Sequence, residues 1–287
     1  MLEAGGIATW RELTAGFPRA EVEAAIGEGH LVRLGRGRYG LRGLDRDRAA
    51  AAALDGVRDR LSAARFWGWG VKLPPERAQV LVPRGRNVSP QRRRGIDLRW
   101  GSPSEDERHR GVTSKVRTVL DCARFLELDS ALAVADSALR DGVTRTELLL
   151  ACARVPRTGR GRAFRVVELA DARAANPFES VLRAIVLEIP GSAFEPQVWI
   201  GTLGRPDLVD RGRRVIIEGD SFEFHSDATS LNRDMERYNA FVAADHAVLR
   251  FGWRHAMFQQ DYVRATVAGV LSARERSVRR CPECVAA

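Results

Sequence analysis

The segment RPDLVDRGRRVIIEGD, residues 205–220, is the part of the chain that allows the fewest folds. Its apolar residues form two short runs typical of β-strands, and the basic, glycine-containing stretch between them predicts a turn. If Asp210 pairs with Arg213 across a two-residue turn, Glu218 is the diagonal neighbour of Asp207, at about 7–8 Å. The segment therefore predicts a β-hairpin with both carboxylates on one face.

The alternation of side chains along the second strand separates its polar and apolar residues. Successive strand residues point to opposite faces, so four side chains lie together: Arg214, Ile216, Glu218 and Asp220. In this register Asp207 faces Ile216, while Val215 and Ile217 point the other way into the core. The carboxylates are thus expected at one end of the strand pair.

Three carboxylates at one end of a hairpin repel one another, and the pKa of each rises unless a cation or an arginine neutralises it. A divalent ion with oxygen ligands removes this conflict. Mg²⁺ or Mn²⁺ suits such a site because water and substrate phosphate complete its coordination. The ion polarises a phosphodiester and lowers the pKa of an attacking water. We therefore expect Asp207, Glu218 and Asp220 to bind metal.

Helices flank this hairpin. The run NPFESVLRAIVLEI has Asn176 as its N-cap, Pro177 in the first turn and an apolar face at helical spacing. Further strands are indicated by PQVWIG and AVLRFGW, and further helices near residues 230–244 and 262–275. Residues 173–275 are thus predicted to form a small α/β domain whose sheet is covered by helices.

Several residues in this domain have structural explanations. Glu179 is the third helical residue after Asn176, where a capping role and an active-site role both stay open. We predict that Gln197 is an exposed strand residue, that Asp210 lies in a turn and that Trp253 lies in the core.

The N-terminal segment predicts two helices and then a hairpin. The run HLVRLGRGRYGL alternates as a strand pair with glycines at its turn. This order is typical of a small winged helix over residues 1–45, and a helical hairpin with a glycine-rich connection is the alternative. In the winged helix, Arg33, Arg36 and Arg38 project from the hairpin as candidate nucleic-acid contacts.

Residues 46–172 predict a mixed α/β middle region. Two strands, AQVLVP and IDLRW, flank a basic loop, and helices follow. The arginine- and glycine-rich run RVPRTGRGRAFR predicts a linker to the last domain. Residues 276–287 predict a disordered tail, in which Cys281 and Cys284 lack the two further ligands that zinc needs. The whole chain is therefore predicted to be an α/β (α+β) multi-domain protein.

The charge balance favours an anionic partner. The chain has a net charge of +9, and its positive potential attracts nucleic acid, DNA first. No apolar stretch is long enough to cross a membrane, and the N-terminus has no signal pattern, so a cytoplasmic location is expected. The four cysteines are too widely spread for a disulfide framework.

The C-terminal motifs resemble a known family. The motif RPD followed by E-x-D is similar to the core of PD-(D/E)xK nucleases. With NPFES, PQV, EGDSFEFH, LNRDMERYNAFV and VLRFGWRHAM, it resembles a bacterial family related to very-short-patch-repair endonucleases, over about the last 110 residues. The upstream region is more loosely similar to AbiEi-type antitoxins. The resemblance implies a restriction-endonuclease-like sheet flanked by helices.

The resemblance also implies roles for particular residues. Asp207 and Glu218 would be metal ligands, and Asp220 a further ligand or a water-positioning group. Asp220 stands where the motif has lysine; the short-patch-repair relatives use a histidine near this position, which makes His225 a candidate general base or phosphate-binding cation.

Two arginines of the next helix extend this site. Arg233 and Arg237 are four residues apart, at a spacing that suits a phosphate clamp, and Asp234 is placed to orient one of them.

Three functions compete at this point. The first is a Mg²⁺-dependent DNA endonuclease that hydrolyses phosphodiesters with activated water. The second is a DNA-binding transcriptional regulator of antitoxin type with an inactive nuclease-like domain, and the third an RNA-cleaving enzyme. A homodimer and a toxin partner are both compatible with the resemblance.

Overall fold

A computed structural model describes residues 6–220 and 228–280. These residues form two units: one comprises the described residues up to Trp69 together with Leu73–Cys122, and the other comprises Gly70–Lys72 and the described residues from Ala123 onward. The protein is a mixed α/β multi-domain protein, as predicted. The division of the chain differs from the predicted borders after residues 45 and 172, since packing joins the N-terminal segment to the sheet that follows it.

The N-terminal segment has the predicted helix, helix, hairpin order, preceded by a short strand that was not predicted. Its elements are β1 Ile7–Thr9, α1 Trp10–Gly16, α2 Arg19–Gly27, β2 Leu31–Gly35 and β3 Arg38–Leu41. The three strands form an antiparallel sheet in the order β1-β3-β2. Thr9 and Glu12 form a capping box that begins α1, and Leu13 and Val22 bury the apolar faces of the two helices.

The rest of the first unit contains a second small sheet. Its elements are α3 Arg46–Ala53, β4 Val57–Arg58, α4 Arg60–Phe66, β5 Ala78–Pro83, β6 Ile96–Gly101 and α5 Glu105–Arg110, followed by α6 Lys115–Phe125, which crosses into the second unit. The two predicted strands are confirmed as β5 and β6; they pair in parallel, and β4 adds antiparallel to β5.

After the end of α6, the second unit continues with three helices. They are α7 Leu128–Arg140, α8 Arg145–Arg154 and α9 Arg160–Leu169. The run at 154–165, predicted as a linker, instead contains the start of α9. Ala163, Val166 and Val167 of this helix are buried, so the run belongs to the folded unit.

The C-terminal elements form a four-stranded sheet between helices, in the predicted order with two differences. The elements are α10 Pro177–Leu187, β7 Glu195–Pro196, β8 Leu208–Asp210, β9 Val215–Asp220, α11 Ala228–Ala243, β10 Ala247–Gly252, α12 Trp253–Phe258 and α13 Gln260–Arg280. The strand predicted at PQVWIG is wrong beyond Pro196, where β7 ends, and α12 was not predicted. The strand order is β10-β9-β8-β7, with β10 parallel to β9 and the other pairs antiparallel. Since α13 extends to Arg280, the predicted disordered tail was wrong for residues 276–280; residues 281–287 lie outside the described part.

The register of the β8–β9 hairpin differs from the predicted one. Asp210 pairs with Val215, not Arg213, so Val209 faces Ile216 and the connection is two residues longer. Extending this register by one position places Asp207 opposite Glu218. The shift is an even number of residues, so the carboxylates keep their common face and come closer together.

Both faces of β9 are buried. Val215 and Ile217 pack in a core with α10, α12 and α13, as predicted. Ile216 also lies in a core, with Val209 and with Phe241 of α11. The carboxylates therefore lie at the end of a strand that is enclosed by helices.

A search of the described helices for an apolar segment long enough to span a membrane finds none.

One buried ion pair joins α7 to α10. Arg183 donates from Nη2 to both carboxylate oxygens of Asp136 at 2.8 Å, and both residues are buried. Asp136 also accepts the Asp171 backbone N–H at 2.7 Å. Burial raises the pKa of Asp136 in spite of these partners. Because neither group can reach water, removing one leaves the other charge uncompensated.

We expect Asp136→Ala to lower the free energy of unfolding by about 3–5 kcal/mol, since it strands the Arg183 charge in the core. Urea unfolding of the full chain measures this. Asp136→Leu combined with Arg183→Met should recover much of the loss, and Asp261→Ala, which removes an exposed carboxylate, should change little. A small loss in Asp136→Ala would contradict this role of the pair.

Candidate active site

Four polar side chains meet where β8 and β9 approach the start of α10. Gln197 connects two of them: its Nε2 donates to Glu179 Oε2 at 2.9 Å and to Asp207 Oδ1 at 3.0 Å. Glu218 is the fourth, and the Asp207 charge acts on it. The predicted convergence of Asp207 and Glu218 is present, and Glu179 joins it.

The start of α10 positions Glu179. Asn176 accepts the Glu179 N–H at 3.0 Å as N-cap, and Pro177 occupies the first turn, as predicted. Glu179 accepts hydrogen bonds from Asn176 Nδ2 and from the Ala175 N–H, each at 2.8 Å. Glu179 thus bonds to the residues at the start of the helix, as the capping role predicts, and also to Gln197; its active-site role stays a prediction.

Asp207 is held by the backbone of β9. Its Oδ2 accepts the Gly219 N–H at 2.8 Å. A Cβ at Gly219 would lie 2.9 Å from the ring of Phe178 on α10, so glycine permits this close packing of helix on strand. The same contact brings the beginning of α10 to Asp207.

Gln197 was assigned the wrong role from sequence. It lies beyond the end of β7, is half-buried and has a φ of 54°, a left-handed conformation that is costly for a residue other than glycine. Its N–H donates to the Asp207 carbonyl at 3.0 Å. Both its backbone and its side chain therefore contact the site, and the sequence signal for this is the PQV motif of the family resemblance.

Glu218 is buried and faces α11. It is 4% exposed, and Arg237 Nη1 lies 3.1 Å from its Oε1, yet that oxygen has no hydrogen bond of acceptable geometry in the described structure. Arg237 also lies 3.4 Å from Asp234, which confirms the predicted orienting contact. Arg233 of the same helix is exposed. Glu218 is thus a buried carboxylate with incomplete compensation.

Asp220 is compensated from the neighbouring strand. Arg250 of β10 lies 2.8 Å from Asp220, and its guanidinium stacks 4.2 Å from the ring centroid of Tyr238. Neither Arg250 nor Tyr238 was predicted as part of the site. Over residues 6–220 and 228–280, no three His, Cys, Asp or Glu side chains are already arranged to hold a metal. Asp207, Glu218 and Asp220 thus lie at the same edge of the sheet, but Asp220 is paired with Arg250.

Burial shifts the ionisation of the site. It raises the pKa of Glu218 to about 8 and that of Glu179 to about 7, with the charge of Asp207 adding to both shifts. Burial also raises the pKa of Asp207, against the stabilising Gly219 hydrogen bond. The pKa of Tyr238 is raised to about 12, again mainly by burial. Glu218, Glu179 and Asp207 thus ionise at higher pH than free carboxylates, mainly because they are buried and also because their like charges are close together.

The remaining predicted site residues lie elsewhere. His225 falls outside the described residues. Arg33 and Arg36 are exposed on the N-terminal hairpin, whereas Arg38 forms an ion pair with Asp55. Trp253, predicted to be in the core, is 42% exposed and contacts Phe258 edge to face.

No protein-family model and no curated protein matches the chain. Among solved structures, the chain is similar to the RV2827C protein from Mycobacterium tuberculosis, with 13% sequence identity over 62% of this chain and 75% of that chain and a TM-score of 0.38.

The raised pKa values predict a dependence of stability on pH. A carboxyl group whose folded pKa exceeds its unfolded value contributes most below the unfolded pKa, and this contribution is lost as pH rises through the folded pKa. We therefore expect the free energy of unfolding in EDTA to fall between about pH 4.5 and about pH 8 through Glu218 and Glu179.

Urea unfolding at several pH values measures this slope. Glu218→Gln should reduce it because the variant has no proton to lose, whereas Glu236→Gln, at an exposed carboxylate of α11, should keep the wild-type slope. Equal slopes in wild type and Glu218→Gln would show that Glu218 ionises normally.

Proposed function

We propose that the protein is a metal-dependent DNA endonuclease that uses Mg²⁺ or Mn²⁺ to hydrolyse phosphodiester bonds. The observation that supports this is geometric: Asp207 and Glu218 lie on one face at the end of the β8–β9 hairpin, and Gln197 links Glu179 to Asp207 through hydrogen bonds to both. These three carboxylates are buried or half-buried and have hydrogen-bond donors, but within the described residues Arg237 is the arginine that contacts them, at Glu218. Their mutual repulsion opposes folding, so a purely structural role explains them poorly.

The donor set suits a hard divalent cation. Asp207 and Glu218 would hold it, since Glu218 Oε1 is buried and has no hydrogen bond in the described structure. Asp220 would become a further ligand only by exchanging its contact with Arg250. When bound, the ion supplies a Lewis acid and lowers the pKa of a water molecule.

The residues of the chain provide the rest of the chemistry. Gln197 holds Glu179 and Asp207 in a fixed relation through two hydrogen bonds. Glu179, with a pKa raised to about 7, is suited to accept a proton near neutral pH, a role for which the family resemblance makes His225 the candidate. Arg233 and Arg237 on α11 would bind the phosphate of the substrate.

The test is a nuclease panel with the purified full chain and supercoiled, linear, mismatched and single-stranded DNA and RNA, in Mg²⁺ or Mn²⁺. We expect DNA cleavage by wild type and a loss of at least about 100-fold in Glu218→Gln and Asp207→Asn, because each removes a metal ligand without changing side-chain size. Glu236→Gln, which changes an exposed carboxylate of α11 in the same way, should cleave as wild type does.

Cleavage of RNA alone would support the RNA-cleaving enzyme. Cleavage that persists in both site variants, or no cleavage of any substrate by wild type, would overturn the proposal.

A second candidate function is a DNA-binding regulator with an inactive nuclease-like domain. It is favoured by the contacts of Arg237 with Glu218 and of Arg250 with Asp220, which already neutralise part of the acidic edge inside the folded chain. DNA as partner, a toxin partner, a homodimer and a cytoplasmic location stay predictions under both candidates.

Both candidates predict DNA binding that depends on salt. We expect log affinity to fall linearly with log salt concentration, with a slope of about −0.9 for each phosphate contact. Arg33→Ala combined with Arg36→Ala should lower affinity and flatten the slope, while Arg77→Ala, at an exposed arginine of the same unit, should do neither. Fluorescence anisotropy with a labelled duplex measures both quantities. An affinity that does not change with salt would contradict a phosphate-based interface.

A further inference from the structure

The first unit contains a cavity whose charged lining residues are mainly arginines. Its volume is about 860 Å³, and its wall combines residues of β1, α1, β3, α3, β4 and α5. Its charged lining consists of Arg38, Arg48, Arg58, Arg108, Arg110 and Glu12, beside the titratable His109. Cations therefore far outnumber the carboxylate in a space of the size that small-molecule sites occupy.

Arg58 is the most unusual residue of this lining. It is 5% exposed, its Nε donates to the Gly111 carbonyl at 3.2 Å, and its guanidinium lies 4.0 Å from the centre of the Phe66 ring. No carboxylate of the described residues lies within 4.0 Å of it. Burial and the neighbouring charge of Arg48 lower the pKa of Arg58 to about 10, although Asp45 and Asp47, both beyond ion-pair distance, act to raise it. A buried guanidinium without an anion is costly to fold.

The other charges of the cavity do not compensate Arg58. Within the described part of the chain, Arg48, Arg108 and Arg110 have no carboxylate at ion-pair distance, and Arg38 is paired with Asp55 outside the lining. Glu12 is engaged at the start of α1, where its Oε2 accepts the Thr9 N–H at 2.7 Å and the Thr9 hydroxyl at 2.9 Å. The cavity thus has a net positive charge that its own residues leave unneutralised.

We propose that this cavity binds a phosphate group, with Arg58 and Arg48 as its main contacts. Guanidinium groups match phosphate oxygens with paired hydrogen bonds, and a ligand with more than one negative charge uses several arginines from different elements. A phosphate in this position supplies the anion that Arg58 lacks. The phosphate comes from a nucleic-acid backbone or from a free phosphate ester, and the experiment separates these two sources. The proposal does not depend on the nuclease function, since it rests on the other unit.

The first arm of the test uses inorganic pyrophosphate and the full chain. Pyrophosphate should bind saturably in isothermal titration and raise the melting temperature more than sodium chloride at equal ionic strength, because a ligand of the folded state stabilises it. Arg48→Gln should weaken binding about tenfold or more, a change equivalent to one lost charged contact. Arg77→Gln, at an exposed arginine outside the cavity, should bind as wild type does.

Arg58→Met distinguishes a ligand-binding role from a structural one. The variant keeps an unbranched side chain against Phe66 but removes the buried charge, so it should be at least as stable as wild type in phosphate-free buffer and gain nothing from pyrophosphate. If Arg58→Met does not fold, Arg48→Gln, at a half-buried position, still decides the test.

The second arm measures DNA affinity by anisotropy with a labelled short duplex. Arg108→Glu with Arg110→Glu is compared with Arg77→Glu and Arg94→Glu, which change the net charge equally at exposed positions outside the cavity lining. A loss that is at least about tenfold greater in the first variant assigns the phosphate to a nucleic-acid backbone. Equal DNA affinities, together with loss of pyrophosphate binding, assign it to a free phosphate ester. The proposal is overturned if pyrophosphate acts no more strongly than chloride and the two DNA affinities are equal.

Discussion

The close approach of α10 to β9 at Gly219 is the constraint on which the candidate active site depends. Because a side chain at this position would meet the ring of Phe178, only glycine lets the helix pack directly on the strand. The N–H of the same glycine fixes Asp207, and the start of the same helix carries Glu179. One contact between a helix and a strand therefore sets the relation of the carboxylates, and Gln197 completes it at the cost of a left-handed backbone.

The order of the elements was predictable from sequence because apolar periodicity and helix caps are local signals. The start of α10 at Asn176 and Pro177, and the two buried residues Val215 and Ile217, are examples. The hairpin register was not predictable in the same way. It depends on a connection that places Arg214 at a φ of 53°, a conformation that the composition of the turn does not indicate, and on the packing of Ile216 against a helix that follows in sequence.

In the candidate active site, too, the features set by neighbouring residues were predictable, and the contacts between distant segments were not. Period-two alternation within one strand predicts that Asp207 and Glu218 share a face, and this holds for any even shift of register. The partners of the carboxylates come from elements that are distant in sequence: Gln197, Arg237 and Arg250. Arg237 was expected to bind phosphate and instead approaches Glu218. Arg237 cannot contact Glu218 and a substrate phosphate at the same time. A cation bound at Glu218 would therefore free Arg237 to bind the phosphate.

The candidate active site at Glu218 is acidic, and the cavity at Arg58 is basic. With 46 basic and 37 acidic side chains, a surplus of nine cations is unavoidable, but at the surface water solvates it at little cost. The cost arises where a charge is buried and incompletely compensated. Within the described residues, Arg58 has no carboxylate at ion-pair distance, and the contact of Glu218 with Arg237 leaves its Oε1 without a hydrogen bond. Arg58 and Glu218 would each be stabilised by a ligand of opposite sign. If both proposals hold, a polynucleotide with its associated divalent cations would supply both kinds of ligand.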